Sequence, residues 1–281
     1  MKITSLLYLT SVGIFAGSLQ LPLARAADLT WNGGNSSWTD SGAWLLDGSS
    51  ADWINGSSAL FQTGSTLIVG SGISAAGLLY EGAAVTLNGG SLTLAGNASG
   101  SNGGSATLSG TALTLNSANQ EDRWTVRDTS LSGSSTLTKT GNGTVTLSGT
   151  HTANGTWNIN AGTLVFTGTR DITGGGQINI ASGAVLDASG GRLFHAANYA
   201  SNWEQPTITL NGGTLKLNQF GYNSASLGCL QNNFYALKFS SGTTSRVIIS
   251  QGYESGGTGS RGIYIAGSVS YTHLRAHETD Q

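Results

Sequence analysis

The sequence predicts an all-β solenoid, in which short strands wind around one long core. Runs of four or five residues alternate between apolar and polar, as in strands with one buried face. Corners containing glycine and asparagine separate these runs, and helical periodicity is missing throughout. The same unit also returns: residues 86–94 read Thr-Leu-Asn-Gly-Gly-Ser-Leu-Thr-Leu, and residues 209–217 read Thr-Leu-Asn-Gly-Gly-Thr-Leu-Lys-Leu. Recurrence of a short unit is the signature of stacked turns.

The composition favours an ordered chain over a flexible linker. The 281 residues include 43 glycines, and such a bias also occurs in linkers. However, 38% of the residues are hydrophobic and 9% are charged, whereas disordered chains combine high charge with few β-branched residues. The net charge is −2 and no lysine or arginine cluster exists, which argues against nucleic acid as a partner.

The N-terminus has the parts of a secretory signal, so residues 1–26 are predicted to be a signal peptide. Lys2 supplies the positive start, residues 6–15 form an apolar run, and Ala24-Arg25-Ala26 offers a small-x-small cleavage site. A run of about 10 residues is too short to cross a bilayer, which takes about 20. A cytosolic protein with a chance apolar start is the alternative. No integral membrane segment is expected in the mature chain.

Residues 27–80 form a region of different composition, with four of the seven tryptophans at positions 31, 38, 44 and 53. The terminal turn of a solenoid must cover open strand edges and apolar rings, so terminal turns are atypical. We therefore predict an N-terminal capping region. The alternative is an aromatic platform for sugar rings, which would require exposed indole rings.

Residues 81–268 are predicted to be the β-helix repeats. Three of the five intervals between corner glycines lie near 20 residues, and the two longer ones are interpreted as one turn plus an inserted loop. The aligned glycines are Gly90, Gly110, Gly143, Gly162, Gly183 and Gly213. Asn-Gly between alternating runs is also the strongest short hairpin signal, and a β-sandwich would give similar strand spacing. The near-identity of distant units favours the solenoid.

The last segment departs from this pattern. Residues 271–281 hold no glycine and two of the four histidines. They are similar to the Ser-Tyr-Thr-His-Leu-Arg-Ala-His-Glu-Thr string that arises when sequencing-adapter DNA is translated. Residues 269–281 are therefore predicted to be non-native, and the chain to be a truncated fragment.

One stretch carries a specific family resemblance. Residues 137–149 read Leu-Thr-Lys-Thr-Gly-Asn-Gly-Thr-Val-Thr-Leu-Ser-Gly, and residues 156–166 read Thr-Trp-Asn-Ile-Asn-Ala-Gly-Thr-Leu-Val-Phe. Together they closely resemble the autotransporter-associated β-strand repeat, clearest over residues 131–168. The resemblance implies an exported passenger with a right-handed parallel β-helix, secreted or displayed on the outer membrane of a Gram-negative-type bacterium. Such proteins often end in a translocating β-barrel. No barrel-like set of strands is present here, so the barrel is expected to be missing with the truncated end, or export follows another route.

No residue pattern points to catalysis. Glycoside hydrolysis takes two facing carboxylates, and the mature chain has neither Asp-x-Asp nor Asp-Asp. The charged stretch 121–128 is interpreted as a solvated strand, with a small polar site as the alternative. His151 and His195 lack ligand-spaced partners, and the single cysteine, Cys229, is expected to be an inert buried thiol. No catalytic, cofactor-binding or metal-binding residue is predicted.

These observations predict a surface-associated structural or adhesive stalk that is not an enzyme. Its expected partners are surface polysaccharide, other cells or a second copy of itself. The first alternative is a carbohydrate-binding or polysaccharide-cleaving β-helix like the pectin lyases. The second is a β-sandwich binding module, which would show antiparallel pairing across Asn211-Gly212.

Overall fold

The computed structural model describes residues 27–33, 36–171, 176–195, 207–217, 219–220, 229–230, 236–249 and 264–266. The predicted signal peptide and the predicted non-native tail lie outside these ranges. Every regular element in them is a β-strand. The strands, in chain order, are β1 (Asp28–Trp31), β2 (Trp44–Leu46), β3 (Ser49–Ala51), β4 (Ser57–Phe61), β5 (Ser65–Ile68), β6 (Ile73–Glu81), β7 (Ala84–Asn88), β8 (Ser91–Leu94), β9 (Ala98–Ser101), β10 (Ser105–Ser109), β11 (Ala112–Asn116), β12 (Arg123–Val126), β13 (Thr129–Ser132), β14 (Thr136–Thr140), β15 (Thr144–Leu147), β16 (Thr150–His151), β17 (Trp157–Ile159), β18 (Thr163–Phe166), β19 (Thr169–Asp171), β20 (Gln177–Ile180), β21 (Val185–Asp187), β22 (Arg192–His195), β23 (Thr207–Leu210), β24 (Thr214–Leu217), β25 (Gln219–Phe220), β26 (Cys229–Leu230), β27 (Ala236–Phe239), β28 (Arg246–Ile249) and β29 (Tyr264–Ala266).

Apart from the antiparallel pair β2–β3 and from β25, which pairs with β26 in the same sheet, the strands stack in parallel into three walls, and strands that follow one another along the chain lie in different walls. Wall 1 contains β1, β4, the second half of β6, β9, β12, β15, β18, β21, β24 and β28. Wall 2 contains β5, β7, β10 and β13, continued by β16, β19, β22 and β26. Wall 3 contains the first half of β6, β8, β11, β14, β17, β20, β23, β27 and β29. The predicted all-β parallel solenoid is confirmed, and the β-sandwich alternative is wrong.

Alternation along each strand builds the core. In β8, β11 and β14 the residues Leu92, Leu113 and Leu137 are buried and paired in register from turn to turn. Their neighbours Thr93, Thr114 and Thr138 point to the opposite face. One turn has too little apolar surface to hold itself together, so each turn depends on the next. Burying a leucine side chain contributes about 1.5–3 kcal/mol.

The Asn-Gly units are corners, and the hairpin interpretation is wrong. Strands β23 and β24 flank Asn211-Gly212 but pair with strands of neighbouring turns in walls 3 and 1. Gly212 has a φ of 78°, a left-handed conformation that glycine adopts without steric cost. The similar unit 86–94 is also a corner, but it joins β7 in wall 2 to β8 in wall 3.

This difference corrects the glycine alignment. Gly90 and Gly110 mark the corner between walls 2 and 3, whereas Gly143 marks the corner between walls 3 and 1. The long interval from 110 to 143 is therefore mainly a change of corner, and the inserted loop accounts for the smaller part, since the corner 117–122 is longer than the corner 141–143 of the next turn. The interval from Gly183 to Gly213 does contain extra residues, between β22 and β23.

The N-terminal segment covers the first strand of each wall. Strand β1 lies on β4 in wall 1 and is itself covered by the antiparallel pair β2 and β3. In wall 2, Ser37 forms a bridge to Ile68, whose carbonyl accepts the Trp38 N–H at 2.8 Å. In wall 3, the Gly56 N–H donates to the Ser74 carbonyl at 2.8 Å. These contacts pair part of the backbone groups that the first strands would otherwise leave open at this end of the stack.

Candidate functional site

The aromatic cluster of the N-terminal segment is internal. Trp38 and Trp44 are fully buried, and Trp31 is nearly so. The ring centroids of Trp38 and Trp44 lie 4.9 Å apart, and Trp53 lies 5.0 Å from Trp38 at a right-angled tilt. The indole of Trp44 donates to the Trp38 carbonyl at 2.8 Å. The rings of Trp31, Trp38 and Trp44 are therefore covered and not available for a sugar to stack on, whereas Trp53 is partly buried at the edge of the cluster.

The charged stretch 121–128 does not form a polar site on one face. Trp124 and Val126 point into the core, so the face that would hold such a site is the interior. Asp122 lies in the corner before β12, where its carboxylate accepts the Asn119 N–H at 2.9 Å. Asp128 has a φ of 55° and leaves the alternation of the strand. Its carboxylate accepts the Gly100 N–H at 3.0 Å, so both carboxylates stabilise corners.

Lys139 is an ionisable residue in the interior that sequence reasoning missed. Its side chain is buried, and Nζ donates to the carbonyls of Thr140 at 2.7 Å, Gly141 at 2.8 Å and Ala161 at 3.2 Å. Burial lowers the pKa of Lys139 to about 8, and the Asp122 carboxylate acts in the opposite sense. The position two residues after Leu137 was the available signal, because it places residue 139 on the inward face.

His151 and Arg170 form a second polar group in the interior, on adjacent strands of wall 2. Arg170 Nη2 donates to the Gly155 carbonyl at 2.8 Å, and its guanidinium carbon lies 4.5 Å from the ring centroid of Trp157. Burial lowers the pKa of Arg170 to about 9, so the guanidinium is charged at neutral pH. Both side chains are enclosed by the solenoid, which leaves them no route to a dissolved substrate.

A groove of about 320 Å³ lies on the outside of wall 1, across β1, β4, β6 and β9. Its floor includes Leu60 and Leu79, and the Leu79 side chain is 40% exposed. Asp28 is the ionisable residue among the lining residues, with Ser58 and Asn97 as polar neighbours. One carboxylate does not make the pair that glycoside hydrolysis takes.

The described ranges contain neither a metal-ligand cluster nor a helix that could span a membrane. No three residues among histidine, cysteine, aspartate and glutamate lie close enough there to hold a metal ion. No helix in the same ranges is long and apolar enough to cross a bilayer. The side chains of His195 and Cys229 lie outside the described part of the chain.

Comparison with known families identifies one repeat. Residues 137–166 match the model of the passenger-associated-transport-repeat, which confirms the resemblance to the autotransporter-associated repeat. The matched segment runs from β14 to β18 and includes Lys139 and His151. Neither the curated proteins nor the solved structures gave a match. The chain is thus a β-solenoid in which residues 137–166 match an autotransporter passenger repeat, and both findings support a passenger-type β-helix.

Proposed function

We propose that this passenger-type β-helix is exported and acts on the bacterial surface as a rigid, non-catalytic adhesive stalk. The observation that supports this proposal is the regular pattern of polar side chains on the outward face of wall 3. There, threonine and asparagine side chains occupy equivalent positions of successive turns, about 4.8 Å apart. They are Thr93, Thr114, Thr138, Asn158, Asn179 and Thr209.

Contacts within this face fix the orientation of its amides. The Asn179 side chain donates to Oδ1 of Asn158 at 2.9 Å, so the two amides form a ladder along the stack. A surface that presents many similar groups at one spacing gains affinity from several weak contacts made together. This supports a neutral, repetitive partner such as a surface polysaccharide or a second copy of the chain.

Binding and turnover should be measured on the same purified chain. A panel of polysaccharides, whole cells and the chain itself would serve as partners, and the triple variant Thr138→Ala, Asn158→Ala, Asn179→Ala should weaken binding at least tenfold. A matched triple variant on wall 2, Thr86→Ala, Thr107→Ala and Ser130→Ala, should bind as before. Equal binding by all three proteins would contradict the assignment to wall 3.

The second candidate function is cleavage of a polysaccharide by elimination in the groove of wall 1, where the Asp28 carboxylate would act as the single base beside an apolar floor. Release of reducing ends or of unsaturated sugars, abolished in Asp28→Asn, would establish this candidate and overturn the non-catalytic proposal. If the protein is a non-catalytic stalk, neither the unchanged chain nor the Asp28→Asn variant releases reducing ends or unsaturated sugars.

A further inference from the structure

The inner column of wall 2 changes character at β16. Over β5, β7, β10 and β13 the column is leucine in every turn, paired in register; these residues are Leu67, Leu87, Leu108 and Leu131. In the next two turns it holds His151 and Arg170, which are paired with each other and fully buried. Polar side chains thus replace leucine inside a continuous apolar stack.

The surroundings of His151 favour its neutral form. The Leu131 N–H donates to Nδ1 at 3.2 Å, so Nδ1 is an acceptor and the neutral ring carries its proton on Nε2. Nε2 makes no well-aligned hydrogen bond among the described residues, although the Ser148 carbonyl lies close enough to favour a proton on the ring slightly. The rings of Trp157 and Phe166 lie 5.7 and 5.8 Å from the imidazole centroid. A second proton on Nδ1 would point at the Leu131 N–H, so that two hydrogen-bond donors would face each other and the hydrogen bond would be lost.

The charges around the ring also oppose protonation. The groups that face it from β13, β17 and β18 are Leu131, Trp157 and Phe166, which carry no charge. Arg170 on β19 is a cation, and its charge adds to burial in lowering the pKa of His151 to about 4, against a smaller opposing contribution from the Ser148 carbonyl. Lys139 on β14 is a further buried cation.

We propose that His151 is an acid-sensitive breakpoint of the solenoid. Protonation of its ring breaks the hydrogen bond from Leu131 and places a second cation beside Arg170, which opens the turns formed by β16 to β19. The turns before β13 keep their leucine column and their covered N-terminal end. Because each turn contacts only its neighbours, opening stays local.

The direction of the pH effect follows from proton binding. An unfolded histidine binds its proton near pH 6.5, whereas folded His151 does so near pH 4. Between these values the open state binds more protons, so stability falls as the pH falls, and above pH 6.5 the contribution is fully present. The opening equilibrium of these turns should increase on the order of 10²-fold across this window.

Hydrogen exchange by mass spectrometry tests the proposal on the purified chain. After correction for the intrinsic rates, peptides covering 150–171 should lose protection between pH 6.5 and 4, while peptides covering 84–116 should keep theirs. His151→Gln retains a hydrogen-bond acceptor for Leu131 and should remove the effect. A triple variant His195→Gln, His273→Gln, His277→Gln leaves His151 as the one histidine and should retain the effect.

If the His151→Gln protein does not fold, a measurement on a protein that retains His151 still tests the proposal. In the triple variant, nitrogen NMR should show an Nε2–H imidazole that stays neutral well below pH 6, and then titrates together with the loss of protection. Titration near pH 6.5 without opening would overturn the proposal. So would an equal loss of protection in peptides 84–116 and 150–171, or an unchanged acid response in a folded His151→Gln protein.

Discussion

Lys139 shows how a charged side chain is stabilised inside a stack of strands. Its Nζ donates to three carbonyls that belong to the corners at 140–141 and at 161, in successive turns. Backbone carbonyls at a corner lie between regular ladders, and an ammonium group with three donors satisfies them together. The lysine of the matched repeat therefore ties two turns to each other.

Replacing Lys139 by methionine tests this role. Lys139→Met keeps most of the aliphatic volume but removes the donors, and leaving buried carbonyls unsatisfied should lower the unfolding free energy by about 3 kcal/mol. The control is Lys216→Met, which removes an exposed lysine whose Nζ lies 3.5 Å from Asp187. An exposed ion pair contributes about 0–1 kcal/mol, so the control should change little. Urea unfolding measures both, and equal losses would refute the role.

The direction of each side chain could be predicted from the sequence within strands, but the prediction was wrong at the strand ends. Alternation places Trp124 and Val126 on one face, as observed. It also places Asp128 there, but the positive φ of that residue turns the side chain away from the series. For Lys139 and Arg170, alternation gives the inward direction, but the sequence does not show the carbonyls or the indole that stabilise a charge there.

At the scale of the elements, the corners set the spacing between turns. Gly162 has a φ of 62°, and a Cβ added there would lie 2.4 Å from the Gly143 carbonyl oxygen of the preceding turn. Gly183 occupies the same corner one turn later with a φ of 75°, and an added Cβ would meet nothing within 4 Å. The two glycines share the strained backbone conformation and differ in how closely the corners stack.

Substituting alanine for Gly162 and for Gly183 separates the cost of the backbone conformation from the cost of the close contact between corners. Gly183→Ala should cost about 1 kcal/mol, the penalty of a left-handed conformation for a residue with a Cβ. Gly162→Ala should cost about 3 kcal/mol, because the corner must also move away from the preceding turn. Chemical unfolding of both variants gives the comparison. Equal costs would mean that the corners at 143 and 162 are not in close contact.

The sequence predicted that these corners exist but not which corner each one is. The units 86–94 and 209–217 are almost identical, yet they join different pairs of walls. Glycine with a positive φ occurs at all three kinds of corner, as at Gly82, Gly90 and Gly162, so local sequence does not distinguish them. The distinction comes from the register between turns, such as Leu113 with Leu137, which no single unit contains.

For the whole molecule, the solenoid itself was predictable because its period repeats. The covering of the three walls at the N-terminus was not predictable in detail. The tryptophans indicated an atypical region, but the antiparallel β2–β3 pair and the bridge from Ser37 to Ile68 depend on contacts between distant residues. A repeat is recognised by comparing its copies, whereas the covering segment occurs once and gives no second copy for comparison.

A substitution in the tryptophan cluster should therefore have a local effect. Trp38 is fully buried, with its ring centroid 5.8 Å from that of Phe61 on β4. Removing so large a core side chain should cost about 4 kcal/mol, and Trp38→Ala should increase hydrogen exchange in β1, β4 and β5. Strands β14 to β18 should keep their protection, since turns are coupled only to their neighbours. Equal loss of protection along the whole stack would show that the solenoid unfolds as a single cooperative unit, and that the cluster stabilises every turn.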